Sequence, residues 1–172
     1  MHTLHLLRHA KSSWKEDAPD HERPLSRRGR EAARRIGRQL PAATGALDLV
    51  LCSSARRACE TLDLVLAGFA RRPHILIERG LYLASREGLL ERLHRLAEED
   101  GNVLLIGHNP ALFELALALA APEAPTFHAL AGGKFPTAAR ASFRVETRWA
   151  ALGRPRPVLV DYVTPASLGE EG

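Results

Sequence analysis

The sequence predicts an α/β fold, a three-layer α/β/α sandwich with a mainly parallel central sheet. Three observations carry the prediction. Short apolar runs recur along the chain, each run ends in polar or small turn residues, and amphipathic helical patterns stand between successive runs. Strands that read as unbroken apolar runs are buried on both faces, which calls for helices above and below the sheet.

The elements follow in order. Residues 3–7 form the first apolar run. Residues 27–40 predict a helix, with Ala32, Ala33, Ile36 and Leu40 on one face and Arg27, Arg30, Glu31, Arg34, Arg35 and Arg38 on the other. Strands are expected at 47–52, 74–77 and 103–106, and helices at 55–69, 86–99 and 111–120. The last third has candidate strands at 141–146 and 158–163 with no clear helix between them, a pattern that suits antiparallel pairing. Pro- and Gly-bearing segments at 122–136 and 153–157 read as loops. No internal repeat is visible, and 172 residues with 45% hydrophobic content suit one domain, expected over 1–163 with a frayed tail over 164–172.

Composition narrows the function. The apolar stretch 111–121 is interrupted by Glu114 and falls short of the roughly 20 residues that cross a bilayer. The N-terminus lacks the pattern of a secretion signal, so the expected compartment is the cytoplasm. Cys52 and Cys59 match neither a CxxC redox pair nor a four-ligand zinc site and are expected to be small buried hydrophobes. The net charge is +4, carried almost wholly by arginine, since the only lysines are Lys11, Lys15 and Lys134. Such a balance permits an anionic ligand, because the planar guanidinium fork matches phosphate oxygens.

Ligands of open α/β sheets gather at the carboxyl ends of the strands. The first strand ends in Arg8-His9-Ala10-Lys11-Ser12-Ser13-Trp14, the second in Ser53-Ser54-Ala55-Arg56-Arg57-Ala58, and the fourth in Gly107-His108-Asn109-Pro110. Two histidines and several arginines would thus converge on one crevice. Phosphoryl transfer asks for an in-line nucleophile and cations around the equatorial oxygens, and this set supplies both. A histidine nucleophile must be neutral, and nearby arginines penalise its imidazolium form, so Arg8 and Arg57 would both grip phosphate and keep His9 unprotonated. Asn109 and Pro110 predict a capped helix start beside His108, and Ser53 or Ser54 would cap the helix carrying Arg57.

Together with Arg23-Pro24-Leu25-Ser26-Arg27-Arg28-Gly29 and Cys59-Glu60-Thr61-Leu62, these segments resemble the histidine phosphatase superfamily, and within it the small SixA-type phosphohistidine phosphatases, from about residue 3 to residue 120. The resemblance implies a phosphoglycerate mutase-like fold and a phosphatase that needs no metal or other cofactor. His9 matches the nucleophile that becomes phosphorylated, Arg8 and Arg57 match phosphate-binding arginines, and His108 matches the second histidine at the phosphate. Arg23 matches an arginine near the site, and Ser12 matches a small hydroxyl near the phosphate. The implied substrate is a phosphohistidine-bearing protein, such as a phosphotransfer domain or phosphocarrier, with inorganic phosphate as product. The sequence departs from the pattern at Ala10, where the family writes glycine, and at Ser54, where it writes proline.

No counterpart is visible of the carboxylic acid with which larger relatives protonate an alcohol leaving group. Glu78 and Glu87 lie in the right region, but Glu87 suits the first turn of a helix for dipole reasons. An alkyl ester needs such an acid, worth about 10² to 10⁴-fold. Phosphohistidine does not, because its leaving imidazole is protonated near neutral pH. The reading is therefore a phosphohistidine phosphatase, with three alternatives open: a small-molecule phosphomonoester phosphatase, a catalytically silent phosphoprotein-binding module, and, last, nucleic-acid binding through the Arg-rich helix.

Structural readings cover the remaining candidates. His2, His5 and His9 share a strand on which residues four apart lie more than about 12 Å apart, too far to share a zinc ion. His21, His74, His94 and His128 read as structural, Trp14 as a residue of the site mouth or of the packing, and Arg56, Arg71, Arg72 and the arginines of 27–38 as solvated surface without interleaved aromatics. Neither nucleic acid nor membrane is an expected partner.

Overall fold

In the computed structural model, which describes residues 1–169, the first apolar run is strand β1 (His2–Arg8), followed by helix α1 (Arg27–Thr44), β2 (Leu49–Ser53), α2 (Arg56–Leu66) and β3 (His74–Glu78). Then come α3 (Arg86–His94), β4 (Asn102–Gly107), α4 (Ala111–Leu119), α5 (Phe127–Gly133), β5 (Arg140–Val145) and β6 (Val158–Val163). The six strands form one sheet in the order β3-β2-β4-β1-β5-β6. β1, β2, β3 and β4 pair in parallel, whereas β5 pairs antiparallel with β1 and with β6. The mainly parallel sheet and its antiparallel last third are as the sequence predicts.

Burial explains why the strands were readable. Every residue of β2 is buried, and so are Val103 to Gly107 of β4, because helices cover both faces. On one face, Ala33, Ile36 and Leu40 of α1 and Ala58, Leu62 and Val65 of α2 pack on Leu7, Val50 and Ile106. On the other, Leu89 and Leu93 of α3, Leu112 and Leu115 of α4 and Leu130 of α5 pack on Leu4, Leu51 and Leu105. These are the three layers.

Several boundaries differ from expectation. Helix α1 runs through Pro41 to Thr44, so the proline sits within its last turns, and the Gly45 amide closes the end on the Pro41 carbonyl at 2.9 Å. Helix α2 is narrower than 55–69, and α3 stops at His94 rather than near 99. The segment 122–136, expected as a loop, contains α5, which Pro122, Pro125 and the glycine pair Gly132-Gly133 hid from a periodicity reading. Of the expected tail, residues 164–169 hold a turn in which the Thr164 amide donates to Ser167 Oγ at 2.8 Å and Leu168 packs on the α1 side of the core. Residues 170–172 lie outside the described residues.

Candidate active site

Strand register brings distant segments together. Arg8 at the end of β1 lies opposite Gly107 at the end of β4, and the His9 amide donates to the Gly107 carbonyl at 3.1 Å. On the other edge of β4, Cys52 of β2 lies opposite Ile106, so Ser53 follows beside His108. The imidazoles of His9 and His108 are 5.0 Å apart between ring centroids. Above them opens a cavity of about 330 Å³ lined by Arg8, His9, Ser12, Arg23, Arg57 and His108, with Lys11, Trp14, Asn109 and Thr137. All six candidate residues of the sequence reading face this one space. Four lining residues are cationic and none is a carboxylate.

The His9 ring is held in one state. Its Nδ1 lies 2.6 Å from the Ala10 carbonyl. A carbonyl only accepts, so Nδ1 carries the proton and Nε2 keeps the lone pair. Burial, with His108, Arg57 and Arg8 nearby, pushes the His9 pKa down to about 3, so the ring is neutral at neutral pH. The Ala10 amide in turn donates to Thr61 Oγ1 at 3.0 Å, and the Thr61 hydroxyl donates to the Arg57 carbonyl at 2.7 Å. Ala10 is fully buried, so its methyl group fills core space where the family has glycine.

His108 is fixed through Nε2, 2.7 Å from Ser53 Oγ, and burial with Arg57 close by lowers its pKa to about 4. Among the described residues six buried side-chain polar atoms have no protein partner, and three of them, Arg8 Nε, His108 Nδ1 and Asn109 Oδ1, belong to residues that line the cavity. Buried groups of this kind are rare except where a ligand or water completes them. Arg8 donates to the Phe135 carbonyl at 3.3 Å, and burial and the charge of Arg57 lower its pKa. Two like charges held together in a buried place favour an anion between them.

Arg23 reaches the cavity because residues 11–13 pair with 24–26. The Ser13 amide donates to the Pro24 carbonyl at 2.8 Å and the Ser26 amide to the Lys11 carbonyl at 2.9 Å. Gly29 permits this approach, since a Cβ there would stand 2.0 Å from the Lys11 carbonyl oxygen. Arg23 donates to Ser12 Oγ and, at 3.2 Å, to the Ser13 carbonyl. Its guanidinium lies 3.2 Å from the ring centroid of Trp14, which is 79% exposed.

Three residues of this neighbourhood were absent from the sequence reading or placed elsewhere by it. Asp20 bridges Arg23, at 2.9 Å, and Arg57, at 3.1 Å, and also accepts from the Tyr82 hydroxyl. The Tyr82 ring packs edge-on against His108, 5.5 Å away, and His21, 4.8 Å away. His21, read as purely structural, bonds Ser54 Oγ through Nε2 at 2.8 Å. The one sequence signal was a carboxylate three residues before Arg23; nothing local announces contacts that span 37 and 62 residues.

The expected caps are corrected. Asn109 does not cap α4: Pro110 takes the cap position, Asn109 Oδ1 accepts no hydrogen bond within the described residues, and its Nδ2 donates to the Phe135 and Lys134 carbonyls at 2.8 and 3.3 Å. At α2 the cap position is Ala55, and Ser53 Oγ accepts from the Ala55 amide at 3.2 Å, one residue before the helix. Neither acid candidate reaches the cavity. Glu78 accepts from Arg92 at 2.8 and 2.9 Å, and Glu87 is exposed beside Arg86. Larger hollows, of about 530 and 540 Å³, lie elsewhere. In the first, Arg140 and Asp161 satisfy each other at 2.9 Å, and neither hollow gathers histidines and arginines as the smaller cavity does.

A cationic, carboxylate-free cavity at the carboxyl ends of parallel strands, with two neutral histidines, suits a phosphate group. The profile of the histidine phosphatase superfamily (branch 1) matches residues 4–81. An uncharacterized protein of Mycobacterium tuberculosis is 36% identical over 162 residues, covering 92% of this chain and 99% of that protein. The chain belongs to the histidine phosphatase superfamily. Within it the structure is of SixA type. SixA from Nakamurella multipartitia is 25% identical with a TM-score of 0.81, covering 95% of this chain and 96% of that one. SixA from Agrobacterium tumefaciens is 27% identical with a TM-score of 0.80, covering 95% and 98%. The protein histidine phosphatase SixA bound to tungstate, 22% identical with a TM-score of 0.76 over 96% and 99%, shares the fold. No helix among the described residues is long and apolar enough to cross a membrane.

Proposed function

We propose that the protein is a metal-independent phosphohistidine phosphatase that works through a phosphorylated His9. His9 Nε2 attacks phosphorus, forming the N–P bond as the bond to the leaving imidazole breaks, and that imidazole leaves with a proton from solvent. Water then attacks the phosphoryl group and releases inorganic phosphate and neutral His9. Arg8, Arg57 and Arg23 carry the charge of the equatorial oxygens, His108 Nδ1 and Arg8 Nε supply donors, and Ser12 orients Arg23. The observation that carries the reading is the carbonyl of Ala10 holding His9 Nδ1 at 2.6 Å, which aims an unprotonated Nε2 in a cavity whose lining has no acid. An unprotonated imidazole nitrogen and fixed cations meet in this cavity, and no carboxyl group lines it. The substrate this suits is a phosphohistidine-bearing protein in the cytoplasm, and residues 1–163 are its single catalytic domain.

The test is a turnover assay with EDTA present, on a phosphohistidine protein and a phosphomonoester panel. Release of phosphate from the first, loss of turnover with folding retained in His9→Ala, and a phosphoenzyme mapped to His9 are expected. A phosphoenzyme on another residue, or loss of turnover in EDTA, overturns the mechanism. One observation favours the ester reading: an adjoining hollow of about 330 Å³ shares His108 and Asn109 and includes Glu114 in its lining. Preference for an ester, abolished in Glu114→Gln, would make that carboxyl the missing acid.

A further inference from the structure

We infer that Cys52 and Cys59 form a reversible oxidation site, in which a hydroperoxide converts the two thiols to a disulfide beside the phosphate cavity. Cys52 is the penultimate residue of β2 and fully buried; Cys59 lies in the first turn of α2 and is only partly buried. Both thiols donate to one acceptor, the Ser53 carbonyl, at 3.3 and 3.5 Å, which brings the two sulfurs to the same oxygen. A pair that shares a carbonyl oxygen, with one member partly exposed and the other buried, has the arrangement of an attacking and a resolving thiol.

The chemistry of the two members differs in the required sense. Cys52 beside it draws the Cys59 thiol down against the opposing effects of burial and Asp63, whereas Cys59 and burial push Cys52 up. Cys59 thiolate attacks the terminal oxygen of the hydroperoxide. The O–O bond breaks, an alcohol leaves once protonated, and Cys59 becomes a sulfenic acid. Cys52 sulfur then attacks Cys59 sulfur, the S–O bond breaks, and hydroxide departs with the Cys52 proton as water. Two thiols lose two electrons in total and one hydroperoxide gains them.

The position gives the reaction a consequence, which rests on the function proposed for Arg57 and His108. Ser53, whose carbonyl both thiols use, holds His108 through its hydroxyl, and the turn of α2 that carries Cys59 also carries Arg57. Bonding the sulfurs removes both donors from the Ser53 carbonyl and draws that turn toward β2, away from the geometry in which Arg57 and His108 face one anion.

The full-length protein, treated with limiting hydrogen peroxide and digested with trypsin, reads the site directly. Cleavage after Arg56 and Arg57 separates peptide 39–56, with Cys52, from peptide 58–71, with Cys59. The two peptides are expected as one disulfide-linked species that dithiothreitol splits and that Cys59→Ser does not form. Free thiols on both, or sulfinic acid on Cys59 without a link, would overturn the site. Oxidation should lower turnover and tungstate affinity by about tenfold or more, reversibly, as expected when one oxyanion contact is lost, and Cys59→Ser should resist it. A linked protein with unchanged turnover and unchanged tungstate binding would overturn the coupling. A protein that binds tungstate without turnover would instead refute the phosphatase reading, while the link and the affinity change still decide this one.

Discussion

Asp20 and Arg57 are joined twice: one terminal nitrogen of the guanidinium donates to the Asp20 backbone carbonyl at 2.7 Å and the other to its carboxylate at 3.1 Å. Asp20 does not line the cavity, so it grips Arg57 and Arg23 without occupying the space an anion would take. Those ion pairs and the Tyr82 hydroxyl hold its carboxyl well below the usual range, so it stays ionised and cannot serve as a proton donor.

Asp20→Asn keeps the size and the backbone carbonyl and removes the charge. The guanidinium groups then attract an anion more strongly but are held less firmly, and catalysis depends on their placement to within about half an ångström. The expected outcome is a fall of about tenfold in kcat with a lower KM, the pattern of better ground-state binding and poorer transition-state fit. Steady-state kinetics on a phosphohistidine protein check it, and a rise in KM at constant kcat would refute it.

His5, His9 and the half-buried His108 make stability depend on pH. Burial lowers His5 to about 4, His9 to about 3 and His108 to about 4, against 6.5 for an unfolded histidine. Between about pH 4 and 6.5 the unfolded chain therefore binds protons that the folded chain refuses, and stability rises with pH across that window, by up to about 1.4 kcal/mol per pH unit for each histidine. It is fully present above 6.5 and lost as the pH falls toward 4. Urea unfolding at pH 7, 6 and 5 should show a steep decline, and a flat profile would contradict the assigned neutral states.

How much of this was legible follows from the same contacts. β2 and β4 were visible because they are buried on both faces, and Arg8, His9, Arg57 and His108 were visible because each lies at a strand end or in the segment just after one. Asp20 and Tyr82 lie in or beside short 3₁₀ turns, where no periodicity operates, and their partners are set by tertiary approach alone. Asn109 misled for a related reason: its side chain suits a helix cap, but it is anchored through Nδ2 to the carbonyls of Lys134 and Phe135 after α5, a contact set by tertiary approach, and its Oδ1 accepts from no helix amide.

Thr61 tests how the His9 tautomer is kept. Its hydroxyl accepts from the Ala10 amide and donates to the Arg57 carbonyl, while the Ala10 carbonyl orients His9. Thr61→Val has nearly the same shape and leaves a buried N–H unpaired, which costs about 1 to 3 kcal/mol. Turnover should fall further than a generic loss of stability explains, because the backbone on the amide side of Ala10 loses its anchor and the Ala10 carbonyl that orients His9 shifts with it. Thermal melts and kinetics at a temperature where the variant is fully folded separate the two effects, and full activity there would rule out the positioning role.

Gly29 places the second half of the site. A Cβ at this position would meet the Lys11 carbonyl oxygen at 2.0 Å and the Lys11 carbonyl carbon at 2.9 Å, both backbone atoms that no rotamer change can move. Gly29→Ala must therefore push α1 away from residues 11–13, and the isolated bridge between Ser12 and Leu25 opens with it. Arg23 and Ser12 are then displaced, whereas Arg8, His9 and His108, anchored at the ends of β1 and β4, keep their places. The expected result is a loss of about 2 kcal/mol or more in stability, as for overpacking against a fixed neighbour, together with weaker tungstate binding and a phosphoenzyme that still forms on His9. A variant that binds tungstate as tightly as the parent would show that Arg23 contributes nothing to holding the anion.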